Sequence, residues 1–104
     1  MAQFDVYENP NPETNEATPY LLDVQAELLD TLSTRVVVPL LSAAYAEKPI
    51  KHLNPLLTVN ETAVLMSTAE MAGISVQSMG KKIGTLKYKR DEIIAAIDFL
   101  FTGF

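Results

Sequence analysis

The chain has 104 residues, 48% apolar and 20% charged, with a formal net charge of −5, which fits one domain with a real core and is too short for two. It has no cysteine and a single histidine, His52, so disulfide frameworks, thiolate zinc sites, Cys nucleophiles and His-rich metal cages are excluded. No apolar run approaches the ~20 residues of a membrane span, and Met1-Ala2-Gln3-Phe4-Asp5 lacks the basic and apolar regions of a signal peptide. The expectation is a single cytoplasmic domain over residues 1–104 with no cofactor, no metal and no membrane contact.

The elements follow in chain order. Residues 3–8 alternate, with Phe4 and Val6 on one side and Asp5 and Tyr7 on the other, the period of a half-buried strand. Asn9-Pro10-Asn11-Pro12 ends it, and residues 9–18 read as an exposed, mobile loop. Residues 20–25 are a second strand, and residues 26–32 a connector in which Leu28 and Leu29 stand between acids, either as core or as a contact surface. Residues 34–40 are the clearest strand, where the β-branched Val36-Val37-Val38 implies burial on both faces. Residues 42–48 are weakly helical and bounded by Pro49. Leu56–Val59 and Thr62–Met66 flank Asn60-Glu61 as a tight hairpin. A turn at residues 69–72 leads into a last strand at 73–79, and Gly80 and Gly84 mark a loop.

Residues 88–102 form the one convincing helix. Ile93, Ile94, Ile97, Leu100, Phe101 and Phe104 recur at helical spacing, Asp91 and Glu92 suit the positive end of the dipole, and Gly103 stands where a glycine ends a helix. On this reading Leu100 and Phe101 continue the core stripe.

Charge is unevenly placed. Residues 1–34 carry seven acids and no Lys or Arg, and every cation lies beyond them. A net acidic chain is a poor autonomous binder of nucleic acid, because such affinity rests on neutralising phosphates, so no direct nucleic-acid contact is expected. The one basic run, Lys81, Lys82, Lys87, Lys89 and Arg90, reads as a solvated loop before the helix, with a phosphate-contacting patch as the alternative.

Little in the chain points to catalysis. His52 and Asn54 have no nucleophile near them in sequence, Asp91 and Glu92 are adjacent on a helix and point apart, and the glycines match neither a phosphate loop nor a dinucleotide fingerprint. No catalytic residue is assigned and an enzyme is not expected. What stands out is apolar: Phe99, Leu100, Phe101 and Phe104 fall within six residues, a concentration that points to a partner or a second copy.

Phe4-x-Val6-Tyr7, Asp23-Val24-Gln25, Leu28-Leu29-Asp30-Thr31, Arg35-Val36-Val37-Val38-Pro39-Leu40, Met71-Ala72 and the ending from Asp91 to Phe104 resemble, collinearly and nearly end to end, the CcdB family of toxins. The resemblance implies a mostly β fold, an SH3-like antiparallel barrel with a small additional sheet at residues 56–66 and one C-terminal α-helix. It also implies a homodimer that binds the DNA gyrase A subunit through its last residues and traps gyrase on cleaved DNA, in service of plasmid maintenance. The matching positions are Thr102, Gly103 and Phe104. A cognate CcdA-like antitoxin would neutralise the toxin by covering Leu28, Leu29, Asp98 and Phe101. Where the family's best-known ending is Trp-Gly-Ile, this chain has Thr102, which lacks the aromatic face for stacking on a guanidinium. A weakly toxic or inactive homologue that keeps antitoxin binding is therefore the second reading. A ribonuclease toxin is the third, with His52 beside Lys51 as its only general base and cationic group.

Overall fold

The structure is a computed structural model that describes residues 2–103. Seven strands form one curled antiparallel sheet: β1 (Asp5–Glu8), β2 (Tyr20–Asp23), β3 (Thr34–Ser42), β4 (Leu56–Val59), β5 (Thr62–Met66), β6 (Ala72–Ser75) and β7 (Lys82–Thr85), followed by the helix α1 (Arg90–Thr102). The ladder runs β4-β5-β3-β2-β1-β7, and β6 also pairs with β3. The long β3 organises the fold. Its first half, Thr34 to Val37, pairs with β6, while its last three residues pair with β5, so the β4–β5 hairpin projects as the small additional sheet of an SH3-like barrel. Pro39 sits inside β3 opposite Leu21, where its carbonyl accepts from the Ser67 N–H at 2.9 Å.

Phe4, Val6, Leu22, Val38, Leu40, Val64 and Met66 fill the apolar core, and Ile93 and Ala96 of α1 close it. Burial of such side chains is worth roughly 1.5–3 kcal/mol each. The opposite faces of the same strands are buried too, as the Val36-Val37-Val38 run implies. Asp5, Tyr7, Asp23, Arg35 and Val37 lie there, so β1 and β2 are not half-exposed strands but separate an apolar layer from an ionic one.

Four expectations need correction. The run at 81–90 is not a loop: Lys82–Thr85 is β7, antiparallel to β1, and Lys87–Lys89 is a 3-10 turn leading into α1. Gly80 permits this approach, since a Cβ there would stand 2.6 Å from the Glu8 carbonyl oxygen. Next, the strand expected at 73–79 stops at Ser75, and Val76–Ser78 is a 3-10 turn. The second strand ends at Asp23 and not at Gln25, while residues 9–18 are exposed as expected, with Asn9 Nδ2 donating to Thr14 Oγ1 and to the Thr18 carbonyl. Last, Phe101 is not core; it is 70% exposed, because the barrel ends before the helix does.

The Asn60-Glu61 turn has both residues at positive φ, 48° and 65°, the geometry that matches strand twist in two-residue hairpins. Gly103 lies at φ 78° and its N–H donates to the Phe99 carbonyl at 2.9 Å, a glycine-ended helix as its position implies. Among the described residues no helix is long and apolar enough to cross a membrane.

Candidate protein-binding surfaces

Two exposed apolar elements flank the helix. The first is the Glu27–Leu29 3-10 turn between β2 and β3, which buries none of its own residues. Leu28 is 95% exposed and Leu29 47%, which decides between the two roles open to this pair: they are surface, not core. Leu32 is exposed beside them. The turn lies near the start of α1, where Lys87 Nζ and Glu27 Oε1 approach to 3.9 Å.

The second element is the far end of α1. Asp98, Phe101, Thr102 and Gly103 are all exposed, while Thr102 Oγ1 donates back to the Asp98 carbonyl at 2.7 Å. Phe104 lies outside the described residues. With a 1.5 Å rise per residue, Phe101 is about 16 Å along the axis from Arg90. Leu28 and Leu29 are thus brought to one end of the helix and Asp98 and Phe101 to the other, so within one chain the two pairs form separate patches that only an extended partner would span. Phe99 faces differently: half-buried, its ring is 6.0 Å from that of His52 at an angle of 55°.

His52 itself stands at φ 70° and borders a shallow cleft of about 280 Å³ with Pro55, Leu56, Glu92 and Ala95. The loop carrying it is tied down by Asn54, which accepts from the Ile50 N–H and donates to the Met66 carbonyl. Among the described residues there is no cluster of three potential metal ligands.

Four of the five cations in the basic run lie beside carboxylates. Lys82 Nζ is 3.2 Å from Asp5 Oδ2, and Lys87, Lys89 and Arg90 lie within 4 Å of Glu27, Glu92 and Asp91. Such pairing leaves little excess positive field for a phosphate backbone.

Sequence reasoning missed the ionic layer. Arg35 is fully buried and donates from Nε and Nη2 to Asp23 Oδ2 at 2.9 and 2.7 Å, from Nη2 to the Gln25 carbonyl at 3.2 Å, and from Nη1 to Asp30 Oδ1 at 3.5 Å. Burial pushes the Asp23 carboxyl up, against the opposing pull of Arg35 and the Gln25 N–H. Burial, with the Asp5 and Asp23 carboxylates, also pushes the Tyr7 phenol up. The available signal was the alternation itself: Asp5, Asp23 and Arg35 occupy alternate positions on strands whose other face is core.

The fold recurs among solved structures, two of them endoribonucleases. One is an endoribonuclease in complex with its cognate antitoxin from a mycobacterial species, 12% identical, with a TM-score of 0.77 over 97% of this chain and 94% of the other. The second is an endoribonuclease from a mycobacterial species, 13% identical, with a TM-score of 0.74 over 97% of this chain and 90% of the other. At such identities the likeness is one of architecture. The CcdB protein family, in contrast, matches residues 3–103, taking in both exposed elements and the buried Asp23–Arg35 pair, and this chain belongs to that family.

Proposed function

We propose that this chain is the toxin of a toxin–antitoxin module, that it binds the DNA gyrase A subunit through the end of α1, and that a cognate antitoxin neutralises it. The observation that carries the reading is the outward-facing helix end, where Phe101 is 70% exposed on a chain of the CcdB family. A large apolar ring held in water beyond the last turn that packs on the barrel adds little to the fold and offers an anchor to a partner. On this reading the toxin does no chemistry. A dimer enters the opened A-subunit gate and holds gyrase on cleaved DNA. The antitoxin's extended tail covers the Leu28–Leu29 turn and the Asp98–Phe101 face together, and the mycobacterial endoribonuclease solved with its cognate antitoxin supports partnership as a use of this architecture.

The test removes Thr102-Gly103-Phe104 and measures folding by circular dichroism and poisoning by cleavage-complex assays with purified gyrase. The truncated chain should fold and fail to trap gyrase, and Thr102→Trp should keep or strengthen trapping by restoring a stacking face. Trapping by the truncated chain would place the gyrase-binding surface elsewhere. Sedimentation at micromolar concentration should give a dimer, and an 11 kDa species throughout would remove the dimeric wedge. If instead the purified protein cut RNA, a ribonuclease role would replace gyrase poisoning.

A further inference from the structure

We infer that Gln25 and Arg35 are positioning residues that hold the Glu27–Leu29 turn, from inside the barrel, in the shape its partner binds. The inference rests on the proposal above that Leu28 and Leu29 receive the antitoxin.

The turn has little to hold it by itself. It is three residues long and buries none of them, and its internal bonds are few: the Leu29 N–H to the Ala26 carbonyl and the Asp30 N–H to the Glu27 carbonyl, each 3.0 Å. Segments with few buried contacts open at low free-energy cost. A nearly fully exposed leucine on such a segment would sample many orientations unless something else fixed it.

The fixing groups come from beneath. The Gln25 side chain, buried between the turn and β3, donates from Nε2 to the Leu29 carbonyl at 3.1 Å and to the Thr34 carbonyl at 3.3 Å. Its Oε1 accepts from the Val36 N–H at 3.0 Å. One amide therefore ties the end of the turn to the strand that follows. Arg35 works alongside it, bridging Asp23 on β2 to Asp30 just after the turn and binding the Gln25 carbonyl. The Gln25 N–H in turn donates to Asp23 Oδ1 at 3.0 Å.

A buried ion pair is an inefficient way to stabilise a fold, since apolar replacements do as well or better. Its directional bonds are suited to specifying one backbone conformation. Here such bonds hold the chain on both sides of the turn, at Gln25 before it and at Leu29 and Asp30 at its end. An element ordered before binding avoids the ordering cost on association, so the anchor acts on partner affinity through Leu28 and Leu29 without touching the partner.

The experiment uses the full chain and three variants. Gln25→Met keeps side-chain length and removes all three side-chain bonds. Gln25→Met combined with Glu27→Pro restores rigidity by another route, because proline is tolerated at the first position of a helical turn and Ala26, at φ −58° and ψ 142°, suits a residue preceding proline. Leu28→Asp tests the contact itself. Amide hydrogen exchange is read at Leu29, Asp30 and Leu32 against the β2–β3 ladder. Affinity is read with the antitoxin supplied as the product of the reading frame adjoining this chain's own.

Gln25→Met should speed exchange in the turn about tenfold or more while the ladder stays protected, and weaken antitoxin binding by a similar factor. The added proline should recover much of both. Unchanged exchange in the turn overturns the anchor. Faster exchange with unchanged affinity, while Leu28→Asp abolishes binding, overturns its role in recognition. Full affinity in Leu28→Asp overturns the antitoxin reading and the recognition role with it, and the exchange data still decide whether Gln25 holds the turn.

Discussion

The two ends of the apolar stripe on α1 make a paired prediction. Ile93 is fully buried in the core and Phe101 is 70% exposed, although both lie on the stripe that helical periodicity marks as inward. Ile93→Ala removes three carbons from a packed site and leaves a cavity, which costs about 2–5 kcal/mol. Phe101→Ser removes a larger side chain, but only about a third of it is shielded from water. Scaling a full burial value of roughly 1.5–3 kcal/mol by that fraction leaves about 0.5–1 kcal/mol. For a domain of this size, 1 kcal/mol moves Tm by roughly 4–8 °C. Ile93→Ala should therefore lower Tm by about 10 °C or more, and Phe101→Ser by about 8 °C or less. The assay is thermal melting followed by circular dichroism at matched concentrations, with gyrase trapping measured on the same preparations. Phe101→Ser should lose trapping while keeping the fold. If it melted as early as Ile93→Ala, the Phe101 ring would be covered in solution and the free helix end would be the wrong description.

Other outcomes follow from the ionic layer. Asp23→Leu should destabilise by about 3–5 kcal/mol, because it leaves the Arg35 guanidinium buried without its main partner, whereas Asp23→Leu with Arg35→Met should recover most of the loss; denaturant midpoints across this double-mutant cycle measure the coupling. Tyr7 should ionise later than an ordinary phenol, because burial and the Asp5 and Asp23 carboxylates raise it. Since the folded protein holds that proton more tightly than the unfolded chain, stability should fall as pH rises above the ordinary phenol value near 10. Ultraviolet difference titration of wild type against Tyr7→Phe identifies the late-titrating ring, and urea melts at rising pH give the slope. Lys82→Ser should cost about 1–2 kcal/mol by leaving the buried Asp5 carboxylate without its cation, while Lys81→Ser should shift stability by no more than about 0.5 kcal/mol, both read from thermal melts.

The strands with strong local signals were legible in the chain: the valine triplet of β3, the Asn60-Glu61 hairpin and the alternation of β1 each encode their structure within a few residues. β7 was not, because Lys82-Ile83-Gly84-Thr85 has one apolar residue and a glycine, and becomes a strand only through the β1 edge it meets. Arg35 read as a polar flank of an apolar run, since a guanidinium is buried only when partners elsewhere accept its bonds, and Asp23 and Asp30 are more than a strand's width away in sequence. Phe101 failed for the opposite reason. Periodicity gives the direction a side chain points from the helix axis, but whether anything lies there depends on how far the barrel extends.

The pairing of β1 with β7 joins positions roughly 80 residues apart, Asp5 with Thr85, and gives the molecule an order of assembly. β1, β2 and β3 can zip together as they leave the ribosome, but one edge of β1 has no mate until β7 has been made, and α1 cannot seal the core before that. Chains dominated by such distant contacts fold slowly, in milliseconds to seconds, and an unpaired edge is a template for joining another chain. The nascent protein therefore passes through an interval in which the Leu28–Leu29 turn is already synthesised while the helix end beyond β7 is not. An antitoxin able to grip that turn could take hold of the chain before the surface assigned to gyrase exists.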